Sequence, residues 1–363
     1  MRKEYSSPAP RAIPFAATSA NFATLHVTNV TRAPLARAAQ TNFADSSKDK
    51  FAAINVMVES LSVMRRCRRI EHAETRPSMT APAPIRRVAF QGERGAFSEE
   101  AAVSLLGENI EAVPRPSFDA LFSAIQEGAA DYALAPIENT LAGSVHQSYD
   151  LLLESRLHIV GEVIHPIAHY LIGPPNATLD RLASVQSHPV ALAQCEHLFR
   201  AHPQLQRVAS LDTAGSVREV VAANDPSQAA VGGKRAAEIY GGKILLEHIE
   251  DHRENYTRFL LLAASPKPSE RATKLSLVIQ LAHQPGALHR ALGIFARRDI
   301  NLLRIESRPI PGSPWQYRFY LDLQAALHNA DTVAALAELR DCTDGVRILG
   351  CYPAHEISAR DSK

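Results

Sequence analysis

Short apolar runs alternate with segments of helical periodicity from Arg86 to about residue 263. The runs, which are typical of buried strands, include "RRVAFQG", "DYALAPIE", "LASVQS", "RVASL", "QAAVGG", "KILLEHI" and "RFLLLA". The segments between them, such as "SFDALFSAIQEG", "PVALAQCEHLFRAH" and "GSVREVVAAN", are typical of helices. Strands that alternate with helices predict an α/β fold with mostly parallel sheets.

A turn-rich stretch, "LIGPPNATLD" at 171–180, divides this α/β part, residues 85–264, into two lobes. We expect one lobe over about 85–165 with returning strands at 245–264, and the other lobe over 166–244. Two lobes that are joined by crossing strands leave a cleft between them, and small ligands commonly bind in such a cleft.

The pattern changes after "ASPKPSERAT", a linker rich in Pro and Ser at 264–273. Residues 274–355 then read as strand, helix, strand, strand, helix and strand, which is the ferredoxin-like βαββαβ order. A unit of this size is too small to hold a deep cleft alone, and such units often pair edge to edge. A ligand of this unit would bind where two copies meet, so we expect a homodimer or a homotetramer.

Residues 1–84 differ in composition from the rest of the chain. They are rich in Ala, Ser, Thr, Arg and Pro, and acidic residues are scarce before Asp45. That composition is typical of an organelle transit peptide, and also of a disordered tail or of sequence upstream of a true start at Met79. We expect a disordered or non-native extension, and a cytoplasmic protein unless residues 1–78 are a plastid transit peptide.

The bulk composition narrows the classes of partner. The 39 Lys and Arg against 38 Asp and Glu leave a net charge of +1, which gives no electrostatic reason for a nucleic-acid or membrane-surface partner. No apolar run approaches the roughly 20 residues of a membrane-spanning helix. The 4 cysteines form no CxxC pair, so the sequence predicts neither a metal site nor a disulfide framework.

Polar residues with useful chemistry lie at the ends of predicted elements. There are four sets: Glu138 with Asn139, Ser187 with Gln194, Thr213 with Ser216, and Thr257 with Arg258. Ligands in open α/β sheets bind at strand ends, and helix N-termini favour anions through their free N–H groups. The hydroxyls could equally cap helices, and the polar groups could simply meet water. The residues alone therefore predict an anion-binding cleft without naming its ligand.

Two further patterns argue against a histidine-based triad or metal site and against dinucleotide binding. The histidines His146, His188 and His252 have no triad or metal-ligand spacing, so we interpret them as structural. The segment "QGERGAF" places glycines after a strand but lacks GxGxxG, so dinucleotide binding is not expected.

Four segments together make the chain recognisable. In order and spacing, "VAFQGERGAFSEEAA", "APIENTLAGSVHQSYDLL", "SHPVALAQC" and "NYTRFLLL" resemble the signatures of the prephenate dehydratase family. The last unit resembles an ACT regulatory domain, and its "PGALHRAL" and "ESRP" are similar to the phenylalanine-site motifs of that family. The resemblance covers residues 86–355. It implies a two-lobed catalytic domain that is similar to periplasmic ligand-binding folds, followed by an ACT domain at 274–355.

This resemblance implies decarboxylation of prephenate with loss of its ring hydroxyl, which gives phenylpyruvate. Aromatisation drives the reaction, so the resemblance implies no cofactor and no metal. Thr257 matches the family's essential threonine and would assist the departing hydroxyl, while Glu138 would be the proton source or an orienting group. The remaining residues that would hold the substrate are Asn139, in the catalytic set, and Ser187, Gln194, Thr213 and Arg258. For Arg258, a structural salt bridge is the alternative to pairing with a substrate carboxylate.

The ACT resemblance implies L-phenylalanine as an inhibitory effector. Its predicted site consists of Gly286, Ala287, Leu288, Glu306, Ser307 and Arg308. A small residue at the first of these positions lets backbone N–H groups approach the ligand carboxylate, and "ESRP" would face its amino end. His289, where relatives often have an apolar residue, is expected to weaken or retune the response.

Two departures from the family pattern bear on the substrate. Thr140 and Ala142 stand where many bacterial relatives carry Ser and Glu. The segment "GSVHQSYDLLLESRLHIVGEV" is closer to the plant branch that uses arogenate. Prephenate dehydratase is the expected activity, with arogenate dehydratase and a non-catalytic amino-acid sensor as alternatives. Nothing in residues 1–84 resembles the chorismate mutase that is fused to some relatives.

Overall fold

The computed structural model describes residues 85–267 and 269–355, which belong to one unit of the chain, Ala81–Lys363. The predicted N-terminal extension, residues 1–84, lies outside the described residues. No helix within the described ranges is long and apolar enough to cross a membrane.

The α/β part alternates strands and helices as predicted. In chain order its elements are β1 (Arg86–Gln91), α1 (Phe97–Leu106), β2 (Ile110–Arg115), α2 (Phe118–Ser123), β3 (Tyr132–Asn139), β4 (Gly143–Ser144), α3 (His146–Glu154), β5 (His158–Pro166), β6 (Tyr170–Gly173), β7 (Ser184–Ser187), α4 (Pro189–Ala193), α5 (Glu196–Ala201), β8 (Gln206–Ala209), α6 (Thr213–Ala223), β9 (Gln228–Gly232), α7 (Lys234–Tyr240), β10 (Lys243–Leu246) and β11 (Tyr256–Ala263). A 3-10 turn at Leu179–Arg181 lies between β6 and β7.

Two sheets form the two lobes. The first sheet has the order β2-β1-β3-β11-β5, with β4 paired to β3, and the second has the order β10-β6-β9-β7-β8. The chain leaves the first sheet after β5 and returns to it through β11, which lies antiparallel between β3 and β5. This double crossing confirms the predicted two-lobed, periplasmic-binding-protein-like α/β fold.

The structure corrects one predicted boundary, because β10 does not return to the first lobe with β11. β10 pairs instead with β6 in the second sheet. Gly241 ends α7 in the left-handed conformation, with a φ of 72°, and so turns the chain back. Gly242 then packs so closely on Ile172 that a Cβ atom there would lie 2.5 Å from a methyl carbon of Ile172. This close approach holds β10 beside β6.

The C-terminal module has the predicted βαββαβ order. Its elements are β12 (Lys274–Gln280), α8 (Ala287–Ala296), β13 (Leu302–Ile310), β14 (Ser313–Leu323), α9 (Ala330–Asp341) and β15 (Gly345–Tyr352). They form a sheet of order β13-β14-β12-β15 with antiparallel neighbours. Both helices cover one face of this sheet, where Leu275, Leu277 and Leu321 are buried beneath them.

The other face of the module's sheet packs directly on the first lobe. Val278, Tyr320 and Tyr352 share one apolar core with residues of the first lobe that include Leu260. The hydroxyl of Tyr320 donates a hydrogen bond of 2.9 Å to the carbonyl oxygen of Tyr149. Burial raises the pKa of Tyr320 to about 12, so this hydroxyl stays protonated as a donor. The module and the first lobe therefore form a continuous packed interface.

A buried network of charges lies in this interface. The carboxylate of Glu162, which is fully buried, accepts from the Arg258 Nε at 2.8 Å and from the Lys274 ammonium. The same guanidinium lies 2.6 Å from Asp322 and donates to the hydroxyl of Tyr352 at 3.2 Å. The network joins β5 and β11 of the first lobe to three strands of the module. Each charge has a partner, as buried charges require.

Candidate active site

The register of two antiparallel strands decides which predicted side chains share a face. β3 and β11 place Thr257 opposite Asn139 and Arg258 opposite Glu138. Successive side chains of a strand point to opposite faces, and cross-strand partners share a face. The first pair therefore lies on one side of the sheet and the second pair on the other.

A chain of polar side chains starts from the first pair and crosses between the lobes. The amide nitrogen of Asn139 lies 3.0 Å from the Thr257 hydroxyl and 2.8 Å from the amide oxygen of Asn255. The amide nitrogen of Asn255 donates to the amide oxygen of Gln194 at 3.1 Å, and that oxygen lies 2.9 Å from Nε2 of His169. The structure thus brings Thr257, Asn139 and Gln194 together, as the predicted site requires.

Gln194 reaches this chain because a predicted helix is interrupted. The segment "PVALAQCEHLFRAH" forms two helices, α4 and α5, and Gln194 caps the end of the first. The carboxylate of Asp251 accepts the backbone N–H groups of Glu196 and His197 at 2.8 Å each, which starts the second helix. The backbone N–H of Asp251 also donates to the carbonyl of Gln194 at 2.8 Å. The prediction of one continuous helix is therefore wrong, because a residue outside it caps α5.

The two other predicted hydroxyl residues have structural contacts. Ser187 is fully buried, and its hydroxyl donates to the carbonyl of Val231 at 2.7 Å. Thr213 is the first residue of α6, whose N-cap is Asp212, and Ser216 donates to the carbonyl of Asp212 at 2.7 Å. None of these hydroxyls is the N-cap of its helix. Substrate binding by Ser187 and Thr213 stays a prediction.

Glu138 and Arg258 face the C-terminal module instead of Thr257. The carboxylate of Glu138 lies 3.0 Å from Nε of Arg304, on β13. Arg258 belongs to the buried network with Glu162. Burial alone would lower the pKa of Arg258, but the facing Asp322, Tyr352 and Glu162 raise it, so the guanidinium remains charged. These contacts favour the structural salt bridge for Arg258, and a catalytic role of Glu138 stays a prediction.

Three residues near Thr257 were not predicted as site residues. Asn255 is fully buried and precedes Thr257 by two positions, so strand alternation could have indicated it. His165 lies opposite Thr257 on β5, with its Nε2 3.3 Å from Glu100. His169, also buried, lies in the crossing between the lobes, and no local motif marks it.

The predicted effector residues divide between two sides of the module. Gly286, in the left-handed conformation with a φ of 77°, precedes α8, and Ala287 and Leu288 lie in the first turn of that helix. Ser307 is exposed and pairs with Phe319, whose side chain packs into the core beneath the helices. These four residues lie at the helix end or on the helix face of the sheet.

Glu306 and Arg308 alternate with Ser307 and face the first lobe. Glu306 accepts a hydrogen bond of 2.8 Å from the hydroxyl of Ser144. Arg308 binds both carboxylate oxygens of Asp150, at 3.1 and 2.6 Å. Their side chains are thus engaged between the module and the first lobe, so their predicted contact with an effector stays a prediction.

Two α/β lobes that are bridged by carboxamides and a hydroxyl, with a βαββαβ module docked on one lobe, define a small-molecule enzyme with a regulatory module. The profile of the prephenate dehydratase family matches residues 88–267, and that of the ACT domain matches residues 275–341. The chain belongs to the prephenate dehydratase family, whose members are carbon–oxygen lyases. The resemblance inferred from the four motifs is confirmed.

Two similar plant proteins are both named as arogenate dehydratases, and one of them is also named as a prephenate dehydratase. A protein of Arabidopsis thaliana, named arogenate dehydratase/prephenate dehydratase 2, chloroplastic, is 44% identical over 280 residues. The match covers 74% of this chain and 72% of that protein. Arogenate dehydratase 1 of Petunia hybrida is 42% identical over 295 residues, which cover 75% of this chain and 69% of that protein.

Two solved structures are similar to this chain in both fold and sequence. The prephenate dehydratase of Arthrobacter aurescens, in complex with L-Phe, matches with a TM-score of 0.68 and 30% identity, and the match covers 74% of this chain and 89% of that one. GqqA, described as a novel type of quorum quenching acylase, matches with a TM-score of 0.69 and 34% identity, over 74% of this chain and 98% of that one.

Proposed function

We propose that this chain is a prephenate dehydratase, which converts prephenate to phenylpyruvate, carbon dioxide and water. The observation that carries this proposal is the direction of the hydrogen bond between Asn139 and Thr257. The amide oxygen of Asn139 accepts the backbone N–H groups of Leu141 and Ala142, at 3.0 and 2.8 Å. A backbone N–H can only donate, so the amide NH₂ must face Thr257. The two N–H groups of Asn139 are shared among the Thr257 oxygen, the Asn255 amide oxygen and the Tyr256 carbonyl at 3.1 Å. The amide nitrogen cannot accept the Thr257 proton, which remains to be donated into the cleft.

A fixed hydroxyl donor suits the chemistry of this reaction. The bond from the ring to its carboxylate breaks and releases carbon dioxide, and the electron pair enters the ring as a new π bond. The ring C–O bond breaks at the same time, and the departing hydroxide takes up one proton from solvent and leaves as water. A hydrogen bond from Thr257 stabilises the charge that develops on this oxygen. Threonine is too weak an acid to give up its proton, so its contribution depends on its position.

The substrate carboxylates need donors from both lobes. The amide nitrogen of Gln194 has no partner among the described residues, so its N–H groups are available to a carboxylate. The carboxylate of Asp212 already accepts the Gly215 N–H at the N-terminus of α6, at 2.6 Å, so only the backbone N–H groups of Thr213 and Ala214 beside it remain as further donors. With Arg258 held in the interface, these groups are the carboxylate donors that we propose.

Arogenate is the second candidate substrate, because the Arabidopsis relative carries both activities in its name. It differs from prephenate by an amino group in place of the keto oxygen. The test of the proposed function is the absorbance of phenylpyruvate after prephenate is mixed with the purified chain. Binding of prephenate without product would favour the sensor, and product from arogenate alone would favour the second candidate.

The acylase activity named for GqqA fits the geometry less well. Nucleophilic catalysis by a hydroxyl needs an adjacent base that removes its proton. The group 3.0 Å from the Thr257 oxygen is the amide nitrogen of Asn139, which donates and cannot take a proton, and the ring of the opposite His165 is turned with its Nε2 to Glu100 at 3.3 Å. The same contact that suits a hydrogen-bond donor is therefore unsuited to a nucleophile.

We propose that L-phenylalanine binds the helix face of the C-terminal module, near Gly286 and Ser307, in a homodimer or a homotetramer. The edge strand β13 exposes Leu303 and Ile305, at 45% and 41%, and pairing of two copies along this edge would cover them. Glu306, which lies on the other face, contacts Ser144 on β4, and the effect would pass from β4 to its neighbour β3. Tight packing between module and lobe supports such a coupling.

Phenylalanine should inhibit the wild-type chain, with an allosteric coupling of about 1–3 kcal/mol. Gly286→Val should abolish the inhibition, because a branched side chain is strained at a positive φ and blocks the helix end. Ser307→Ala should weaken it. Initial rates measured with increasing phenylalanine check this expectation. Wild type that ignores millimolar phenylalanine, or two variants that respond as wild type does, would show that the site is misassigned.

A protein that starts at Met79 should keep full activity and the full response to phenylalanine. The reason is that β1, the first strand of the catalytic unit, begins only at Arg86. Parallel assays of the full chain and the shortened chain measure this. A large loss of either property in the shortened chain would show that residues 1–78 contribute to the enzyme.

A further inference from the structure

We propose that His169 is a positioning residue, whose imidazole holds the amide oxygen of Gln194 out of the cleft and so presents the Gln194 N–H groups to a substrate carboxylate. The proposal rests on the proposed dehydratase function for its substrate. It is carried by the direction of the hydrogen bonds between the two lobes. The donor and the acceptor of each bond can be assigned in turn, starting from Asn139.

The orientation of the Asn139 amide group sets the direction of the hydrogen bonds that follow. Two backbone N–H groups bind its amide oxygen, so its amide nitrogen faces Asn255 at 2.8 Å. Asn255 must therefore present its oxygen to Asn139 and its nitrogen to Gln194, at 3.1 Å. Gln194 must then present its oxygen to Asn255, which leaves its nitrogen free. Each amide in the series has one allowed orientation.

His169 provides the second donor to the same oxygen. Its Nε2 lies 2.9 Å from the amide oxygen of Gln194, so Nε2 must carry a proton. Its Nδ1 is buried and has no partner within the described residues. A proton on Nδ1 would therefore be an unsatisfied buried donor. The neutral imidazole with its proton on Nε2 satisfies Nε2 and leaves on Nδ1 an unpaired acceptor instead of an unpaired donor.

The surroundings hold the ring in this orientation. Phe97 contacts the imidazole edge to face, with 5.6 Å between ring centroids. The carboxylate of Glu250 accepts the backbone N–H of His169 at 2.7 Å, and thus fixes the main chain and not the ring. Burial lowers the pKa of His169, which keeps the ring neutral.

The opposite tautomer would change the site. With the proton on Nδ1, Nε2 would present a lone pair to the Gln194 oxygen, and the amide could relieve this repulsion only by turning and losing its hydrogen bond from Asn255. Its oxygen would then face the cleft and repel a substrate carboxylate. The Nε2 proton of His169 therefore acts together with the Asn255 N–H to hold Gln194 in the orientation that attracts the substrate.

The test compares His169→Phe, which keeps a ring without a donor, with His169→Gln, whose amide N–H reaches the position of Nε2. We expect His169→Phe to lower kcat/KM by about 10- to 100-fold, mainly through KM, and His169→Gln to recover most of that loss. The control is His158→Phe, at the far end of β5, where His158 pairs with Ala263. It should leave kcat and KM unchanged.

Nitrogen NMR of ¹⁵N-histidine-labelled wild type tests the same proposal without activity. The signal that disappears in His169→Gln should show a neutral ring with its proton on Nε2 at neutral pH. A proton on Nδ1, a charged ring, or equal losses in His169→Phe and His169→Gln would overturn the proposal. If wild type turns over neither substrate, the proposed function fails, while the NMR signal still decides the tautomer.

Discussion

Replacing Thr257 with Val should lower kcat by about 10²–10⁴-fold and change KM little. Val keeps the branched shape of Thr, so the packing of the strand is preserved, but the hydroxyl and its hydrogen bond from Asn139 are lost. The hydrogen bond from this hydroxyl strengthens as the C–O bond of the substrate breaks, so its loss raises the energy of the transition state more than that of the bound substrate. Steady-state kinetics with prephenate measure both constants.

The matched control is Thr343→Val, at the end of α9. Its hydroxyl donates to the carbonyl of Leu339 at 2.7 Å, far along the chain from the cleft. This variant should have wild-type kinetics. A Thr257→Val variant whose kcat stays within a few-fold of wild type would show that the hydroxyl does not assist the leaving group.

Replacing Glu162 with Gln should lower the free energy of unfolding by about 3–5 kcal/mol. The Glu162 carboxylate is fully buried between the Arg258 guanidinium and the Lys274 ammonium. Gln has nearly the same shape but no charge, so the variant leaves Lys274 without its anionic partner and Arg258 with Asp322 alone. Urea denaturation, followed by circular dichroism, measures the difference.

Glu196→Gln is the control for this substitution. Glu196 pairs with Arg207 at the surface, where both side chains are 41% exposed. Exposed salt bridges contribute little to the free energy of unfolding, so this variant should be as stable as wild type. If Glu162→Gln were as stable as Glu196→Gln, the buried network would not hold the module on the first lobe.

The fold could be predicted from the sequence because its elements are locally encoded. Apolar runs such as the one from Phe259 to Ala263 and the periodic segments between them indicate strands and helices without knowledge of the tertiary structure. The order of the elements then limits the topology to a few choices. The pattern predicts late strands that return to the first sheet, but only β11 does so, and β10 stays in the second sheet, where Gly242 packs closely on Ile172.

The two residues of β11 that were predicted for the site lie on opposite faces of that strand. Strand alternation shows that Thr257 and Arg258 point in opposite directions, but the sequence does not show which of them faces the cleft. That choice depends on the register with β3, where the partner Asn139 lies 118 positions before Thr257 in the chain. The docking of the C-terminal module, which binds Arg258 and Glu138, is equally non-local.

Gln194 and His169 illustrate the same limit at single residues. The helix that contains Gln194 is continuous by its pattern and is interrupted only because Asp251 caps α5 from a distant loop. His169 has no motif around it, and its role depends on a contact with Gln194 across the lobes. Contacts between segments that are distant in sequence leave no periodic signal.

The most direct test of the central claim is kcat/KM for prephenate and for arogenate, measured side by side on one preparation of the full chain. We expect phenylpyruvate to form from prephenate, with a larger kcat/KM than that for the formation of phenylalanine from arogenate. A larger value for arogenate would contradict the assigned substrate, and turnover of neither compound would contradict the proposed dehydratase.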